Sequence, residues 1–381
     1  SIWNLTGGTV PAFPSLVSSG RKSRSGWVTL FLTAAAILAA PSPHAYAQPT
    51  LASATIDTTS EAGEDAAIPK RRFTKWNEYD GPISTFFFGM NFMTDAVTYI
   101  QDDKSKQQID VSPAEGLRDF RLAIGGRFKT KRPISWQLAY MYDGADDDWR
   151  FRTTGIMVGL PELSGEIFIG RQKEGYSNIK YASGIWLWGI ERSQTLDAFV
   201  PILGDGIKYK GYFQRPRLFV NVGYYKDTGS EKEKFSTYDR QVVSRVGWQP
   251  ILSESDRKVL HVAVMERECK PDDGFLREKA RPGAYQAPYF LDTGKFAADH
   301  SRTFGLEALY RSGPWLFASE YDWQQDEATS GEKPVFHGGE ASVVWLITGE
   351  TRPYNARNAY FQGISPTRTV FEGGPGAWEA V

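Results

Sequence analysis

The chain has 381 residues and a formal net charge of -1, from 44 basic and 45 acidic side chains. This balance provides no global positive field for nucleic acid, so any charge selectivity has to be local. Aromatic residues make up 14% of the sequence although its mean hydropathy is negative. That combination argues against apolar membrane-spanning helices and is natural for strands that alternate lipid-facing with water-facing residues.

The composition gives little indication of catalytic or redox chemistry. The single cysteine, Cys269, excludes an intramolecular disulfide, and the four histidines lack the spacing of metal ligands or of a Ser-His-Asp triad. We therefore expect neither an enzyme, such as an outer-membrane hydrolase, nor a metal or other cofactor. After residue 80 no Pro-, Gly- or Ser-rich linker divides the chain, which favours one large domain.

The N-terminal part is typical of an exported protein. Residues 1–20 show no clear pattern and are an uncertain upstream segment. Residues 21–47 predict a secretory signal peptide, because basic residues precede an apolar run that ends in a small-residue cleavage site at 45–47. The alternative, a short membrane anchor, is disfavoured by the length of that run. Residues 48–75, rich in Thr, Ser, Ala and Glu, predict a flexible lead-in.

From residue 76 onward the sequence alternates with the period of β-strands. Between Leu117 and Phe128, apolar residues such as Leu122 share one face and Arg121 and Arg127 share the other. Similar alternation recurs in later segments, among them 134–143, 217–226 and 315–324, and short connections alternate with long ones. Residues 76–381 therefore predict an all-β, antiparallel transmembrane β-barrel, of which about twelve to thirteen strands are present.

The third long connection of this barrel spans residues 174–205. It contains an apolar run at 185–190, which requires burial and predicts packing of the loop against the barrel wall. Directly after the run, Glu191 and Arg192 are expected to form an ion pair that fixes the loop.

Several short motifs carry a family resemblance. They are IGRQKEGY at 169–176, ERS at 191–193, LDTGK at 291–295, GPW and SEY at 313–315 and 319–321, WLITGE at 345–350, and GAWE at 376–379. In this order and spacing they closely resemble the porin O/P family of phosphate- and polyphosphate-selective outer-membrane porins, from about residue 73 to the end.

The resemblance implies an antiparallel barrel of 16 strands, usually a homotrimer, in the outer membrane of a Gram-negative cell. Anions, with phosphate or polyphosphate preferred, would diffuse passively through a pore lined by Arg and Lys and narrowed by loop 174–205. The expected partners are therefore these inorganic anions and outer-membrane lipid, with no nucleic acid.

The sequence departs from the family pattern in two places. At Arg118-Asp119 many family members have adjacent arginines, so an anion replaces one pore cation and weaker phosphate selectivity is expected. The family also continues past the GAWE motif through further strands, whereas this sequence stops at Val381, so a C-terminally truncated barrel is expected. Such a barrel would have unpaired strand edges, which lipid cannot satisfy.

The candidate anion-binding, pore-lining residues are cations on inward strand faces, at strand mouths and in the third loop. They are Arg118, Arg121, Arg127, Arg150, Arg152, Arg171, Lys173, Lys180, Arg192, Lys208 and Lys210. Such side chains lower the energy of an anion in a narrow pore, and the guanidinium fork matches phosphate oxygens. Each of them could equally be a solvated rim charge or an ion-pair partner. A general, weakly selective porin and a plugged barrel without conductance are the alternative functions.

Overall fold

The computed structural model describes residues 73–75, 77–109, 111–144, 146–226 and 238–381. The upstream segment and the predicted signal peptide lie outside these residues. Of the predicted lead-in only its last three residues are described, and they form a short strand. In the described ranges no helix has both the length and the apolar character needed to cross a membrane.

The described chain is mostly β-structure. In chain order the strands are β1 (Phe73–Lys75), β2 (Glu78–Asp80), β3 (Thr85–Val97), β4 (Ala114–Phe128), β5 (Ile134–Asp143), β6 (Asp148–Phe151), β7 (Thr154–Leu160), β8 (Gly165–Gln172), β9 (Gly204–Phe213), β10 (Leu218–Lys226), β11 (Tyr238–Ser253), β12 (Lys258–Pro271), β13 (Phe275–Leu276), β14 (Lys279–Ala280), β15 (Leu291–Asp292), β16 (Phe296–Ser312), β17 (Trp315–Ala328), β18 (Val335–Leu346), β19 (Tyr354–Asn355), β20 (Tyr360–Phe361) and β21 (Glu379–Ala380). The described α-helices are α1 (Asp103–Gln108), α2 (Asn178–Tyr181) and α3 (Gln194–Phe199), and 3-10 turns occur at Pro161–Leu163, Gly184–Trp186 and Val370–Glu372.

Successive long strands pair antiparallel in one sheet. The pairing runs from β1 through β12, with β6 and β7 both on β5, and continues through β16, β17 and β18 to β21. Among the described residues no pairing joins β21 to β1, so the sheet is open. The antiparallel all-β architecture that the alternating sequence predicts is confirmed.

The two faces of the sheet differ as the strand period requires. Along β17, Trp315 and Phe317 are exposed, whereas Glu320 and Asp322 on the opposite parity are buried. Exposed aromatic pairs lie near both ends of the strands, such as Trp315 with Trp345 at the short-turn end and Phe304 with Trp323 at the other. This arrangement is typical of a lipid-facing surface with interfacial aromatic girdles.

The inward face is packed by two segments that connect strands. One is the connection from β8 to β9, residues 173–203, which we call the third loop; it corresponds to the predicted loop 174–205 with its ends shifted by one or two residues. The other is residues 352–363, which contain β19 and β20 and which we call the inner segment. Both contribute buried side chains, including Leu196, Phe199 and Phe361, to apolar clusters against β10–β12 and β16–β18.

Candidate functional site

The third loop folds across the inside of the sheet. Its Tyr176 hydroxyl donates to Asp322 Oδ1 on β17, at 2.9 Å, and the Asn178 backbone N–H donates to Glu307 on β16, also at 2.9 Å. Neither strand is a sheet neighbour of β8, from which the loop starts. The loop therefore occupies interior space, as expected for a segment that narrows a lumen.

The apolar run 185–190 is only partly buried. Trp186 stacks on Tyr360 of the inner segment with ring centroids 6.1 Å apart, and Trp188 packs against both apolar clusters. Ile185 and Ile190, at the ends of the run, remain 46% and 79% exposed. The run thus packs inward through its central residues, and much of its contact is with the inner segment instead of the barrel wall.

Five of the predicted cations come together where the loop meets the wall formed by β4 and the residues after β6. A Cβ placed on Gly184 would lie 3.6 Å from Arg192 Nη2 and 4.0 Å from Arg121 Nη2, so two guanidinium groups approach one point. The Lys173 ammonium interacts electrostatically with the other four cations. We call this set the cation cluster, and its members are Arg121, Arg152, Lys173, Lys180 and Arg192.

Backbone carbonyls hold two loop members of the cluster in place. Lys173 Nζ donates to the carbonyls of Tyr181, at 3.1 Å, and Ala182. Arg192 donates to the carbonyls of Ile179 and Ala182, both at 3.3 Å. These acceptors belong to the C-terminal end of α2, where carbonyl oxygens are free and the helix dipole favours cations. Their positive charges are therefore oriented without being cancelled by a carboxylate.

Burial alters the protonation of these loop cations. Burial lowers the pKa of Lys173 well below the usual lysine range, and repulsion from Arg192 and neighbouring cations adds to this. Burial also lowers the pKa of Lys180, although Lys180 Nζ pairs with Asp197 Oδ1 at 3.1 Å. Because a nearby anion favours the charged form of a lysine, an arriving anion would favour the protonated form of Lys173.

The two wall members of the cluster, Arg121 and Arg152, differ in their pairing. Arg121 donates from Nη2 to Asp119, while its buried Nε lacks a hydrogen-bond partner. Arg152 is 8% exposed and contacts Met141 Sδ at 3.3 Å. Within the described residues Arg152 forms no ion pair, so Asp119 is the carboxylate that most directly offsets this side of the cluster.

Two predicted cations near the strand mouths are engaged in ion pairs. Arg118 pairs with Asp95 and, at 2.8 Å, with Glu191. The expected pair between Glu191 and Arg192 is therefore wrong, because the Glu191 carboxylate turns to the wall while Arg192 turns to the end of α2. Arg150 is directed inward and pairs with Asp146 at 2.8 Å.

Three further predicted cations line the interior at other levels. Lys208 Nζ donates to the Lys173 carbonyl at 2.7 Å and lies 4.7 Å from the centre of the Tyr181 ring. Lys210 pairs with Glu166 and donates to Asn358 of the inner segment. Arg127 shares the inward parity of Arg121 and interacts electrostatically with Glu78 and Glu166. Lys210 and Arg127 therefore have carboxylates nearby, whereas Lys208 is held by a carbonyl and an aromatic ring.

Arg171 does not meet the predicted pore-lining geometry. It shares its parity on β8 with the exposed Ile169, whereas inward-facing Phe168 and Gln172 have the opposite parity. Arg171 makes a two-pronged ion pair with Asp205 of β9, with distances of 2.6 and 2.8 Å. The motif at 169–176 does not indicate which face of the strand Arg171 occupies. Its outward position follows only from the pairing of β8 with β7 and β9.

Sequence reasoning missed the fully buried arginines on the opposite wall. Arg245 Nε donates to Glu307 Oε1 at 2.8 Å, and Arg267 Nε donates to Glu174 of the third loop at 2.9 Å. Both arginines share the parity of inward-facing apolar neighbours in β11 and β12, which is the signal that could have identified them. These pairs anchor the loop instead of offering free charge.

The inner segment is also held by inward-facing side chains of the wall. Gln249 Nε2 donates to the Ala356 carbonyl at 2.7 Å, and Arg245 Nη2 donates to the Ala359 carbonyl at 2.8 Å. The Tyr354 hydroxyl lies 2.6 Å from His261 Nδ1. This half of the interior is therefore filled, while the cation cluster lies toward the half formed by β3 to β7.

Known proteins resemble this chain over regions of different length. An uncharacterized protein of Caulobacter vibrioides is 34% identical over 106 residues, which are 28% of this chain and 21% of that protein, so the match spans about a fifth of the relative. Among solved structures, the loop-deleted OmpT of Vibrio cholerae has 14% identity and a TM-score of 0.42 over 69% of this chain and 76% of that one. The Salmonella typhi OmpF complex with daunomycin has 12% identity and a TM-score of 0.39 over 70% of this chain and 88% of that one.

The strongest comparison is with a family profile. The profile described as phosphate-selective porin O and P matches residues 89–381, which is well over half of the sequence and includes the third loop and the cation cluster. The motifs at 169–176, 191–193 and 376–379 lie inside the matched region. The chain therefore belongs to the phosphate-selective porin O and P family of outer-membrane proteins.

Proposed function

We propose that this protein is an outer-membrane porin that passes anions by passive diffusion, with the cation cluster as its selectivity filter. The carrying observation is the approach of loop and wall cations: Lys173 and Arg192 donate to the same Ala182 carbonyl, and Arg192 and Arg121 both approach Gly184. In the described part of the chain, the carboxylate pairs of the cluster are Arg121 with Asp119 and Lys180 with Asp197. Lys173 and Arg192 are oriented by hydrogen bonds to backbone carbonyls, and Arg192 supports the proposal as a guanidinium held at the meeting point of the loop and the wall.

The chemistry of the cluster supports anion passage, with phosphate or polyphosphate as the proposed preference. A narrow site lined by cations compensates an anion for lost hydration and repels cations, while binding has to stay weak enough for release. Arg121, Arg152 and Arg192 present planar donor groups that fit phosphate oxygens in pairs. Asp119 opposes this field, which favours moderate over strict phosphate selectivity.

Ion-selectivity measurements test the proposal through Arg152, the wall cation without a carboxylate partner in the described chain. We expect Arg152→Gln to lower the anion-to-cation permeability ratio about fivefold, since one unit charge a few ångströms away is worth about 1 kcal/mol in water. The measurement is the reversal potential of single channels in a planar bilayer under asymmetric KCl, followed by titration of the current with phosphate.

The matched control is Lys333→Gln. This lysine is 58% exposed in the connection between β17 and β18, where it pairs with Glu327. The reversal potential of the Lys333→Gln channel is expected to equal that of the unaltered protein. An unchanged potential in Arg152→Gln, or a cation-selective unaltered channel, would contradict the assignment of the filter.

Export and assembly form the remaining part of the proposal. Residues 21–47 have the composition of a cleaved signal peptide, and the family resemblance supports a homotrimer. N-terminal sequencing of the protein extracted from outer membranes would identify the cleavage position, and sedimentation in detergent would give the oligomeric state.

A second candidate function, a barrel with a closed lumen, is favoured by the inner segment. Residues 352–363 lie against inward-facing side chains of β11, β12 and β16 and are hydrogen-bonded to them. In that case the cation cluster would bind an anion without conducting it. Measurable unit conductance separates the two functions.

A further inference from the structure

Three cations stand side by side on the outward face of the sheet. Lys226 of β10 is the register partner of Arg240 of β11, and Arg240 is the register partner of Lys270 of β12. All three side chains are exposed, and they have the parity of lipid-facing residues such as Tyr224 and Val264. We call these three residues the cation row.

Within this row, cations lie directly opposite each other on neighbouring strands. Like charges directly opposite each other on neighbouring strands destabilise a sheet, and the arrangement occurs here twice in succession. Within the described parts of the chain, no carboxylate pairs with any of the three. Two outward-facing carboxylates of β12, Glu266 and Glu268, are engaged with Arg302 and His300. An external anion would relieve the repulsion.

The position of the row along the strands indicates which anion can reach it. Lys226 is one outward-facing position beyond Tyr224, and both Lys226 and Arg240 border the long connection 227–237. In outer-membrane barrels long connections lie on the outer side, and exposed aromatic residues mark the interface. The row therefore lies just beyond the aromatic level, at the height of outer-leaflet headgroups.

An apolar depression lies next to the row on the same face. It has a volume of about 540 Å³, and its lining includes Ile169, Ile207 and Tyr224. Lys226 and the ion pair between Arg171 and Asp205 form its polar part. The surface thus offers apolar lining beside a concentration of positive charge, which matches a molecule with an acyl chain and a phosphate headgroup.

We propose that the cation row binds the phosphate groups of an anionic glycolipid of the outer leaflet, with one acyl chain in the adjacent depression. At a membrane surface, each Lys or Arg in a cluster raises the affinity for anionic headgroups about fivefold. Lysine and arginine stems can also lie along apolar surface while their charged ends reach the headgroup. The site is on the opposite face of the sheet from the cation cluster, so it does not depend on conduction.

The test uses the full chain in nanodiscs of phosphatidylcholine containing bisphosphorylated lipid A or its dephosphorylated form. Retention of lipid is measured by native mass spectrometry after release from the nanodisc. The variant combines Lys226→Gln, Arg240→Gln and Lys270→Gln. We expect it to lose roughly a hundredfold in affinity for the phosphorylated lipid, from about fivefold for each of three charges.

Three controls make the outcome decisive. A matched triple variant, Lys129→Gln, Lys131→Gln and Arg132→Gln at the short-turn end, is expected to retain the lipid. Lys226→Arg with Lys270→Arg should also retain it, since the charge is kept. Heat-dependent gel mobility checks that each variant is folded, and the bilayer reversal potential should be unchanged in all of them.

Several results would overturn the site. Equal retention of phosphorylated and dephosphorylated lipid A by the unaltered protein would show that phosphate is not recognised. Equal retention by the unaltered protein and a folded Gln triple variant would remove the cation row. Binding of inorganic phosphate at the row without retention of the lipid would assign it to a soluble anion instead of a membrane component.

Discussion

At the scale of single residues, Asp119 sets the local charge at the cation cluster. It is 4% exposed, accepts a hydrogen bond from Arg121 through Oδ2, and leaves its buried Oδ1 without a hydrogen-bond partner. Its charge also acts on Arg152. In the structure Asp119 lies beside two wall cations, Arg121 and Arg152.

We predict that Asp119→Asn strengthens anion selectivity. Removing one negative charge beside Arg121 should raise the anion-to-cation permeability ratio by up to about fivefold, because the interaction of unit charges at this range is about 1 kcal/mol in water. The measurement is the reversal potential in asymmetric KCl. Asp80→Asn serves as the control, since Asp80, the last residue of β2, pairs with Lys129 and both side chains are 44% exposed. A decrease in anion preference would contradict the role given to Asp119.

At the scale of elements, the third loop is held by buried ion pairs at its start. Glu174 and Arg267 meet at 2.9 Å with both side chains fully buried, and Tyr176 and Asn178 add hydrogen bonds to β17 and β16. Such a loop cannot move without exposing unpaired charge in an apolar environment. The cluster members Lys173 and Arg192 are positioned by this anchored segment.

We predict that Arg267→Met loosens the loop. Removing one partner of a buried ion pair leaves Glu174 as an uncompensated charge, at a cost of about 3–5 kcal/mol in the free energy of unfolding. The temperature at which the folded gel band is lost should fall, and single-channel current should become larger or noisier.

Arg302→Met is the matched control for this prediction. Arg302 pairs with Glu266 on the outward face and is 52% exposed, so its loss should cost no more than about 1 kcal/mol. Equal thermal stability and equal current noise in the two variants would argue against an anchoring role for Arg267.

At the scale of the whole molecule, the interior has two unlike halves. The half along β10 to β18 is packed by the third loop and the inner segment, with buried residues such as Phe199, Val259 and Phe361. The other half, along β3 to β7, carries the cation cluster. Conductance therefore depends on how much of the lumen the inner segment occupies.

We predict that replacing residues 353–362 with a Gly-Ser sequence of equal length raises the unit conductance, because the buried ring of Phe361 and the hydrogen bonds of the segment to the wall are lost. The same replacement at residues 364–373, most of which are exposed, is the control and should leave conductance unchanged. Identical conductance in both variants would show that the inner segment does not obstruct the path of ions.

The sequence alone determined the all-β architecture, the faces of the long strands and the family. A period of two is a local property, so outward Trp315 and inward Asp322 could be assigned from β17 itself. The third loop and five clustered cations were also within the predicted set, since their positions follow from connection order and motif.

Only the tertiary structure decided which cations lie near each other. Arg121, Arg152 and Arg192 are far apart in sequence, and their approach depends on the loop crossing the interior to meet Glu307, Asp322 and Arg267. The pairing of β8 with β9 likewise places Arg171 on the outer face of the sheet. The pairing of β10, β11 and β12 aligns Lys226, Arg240 and Lys270 across three strands. Charge pairing depends on distances between segments, and strand register and loop packing set those distances, which no single stretch of sequence contains.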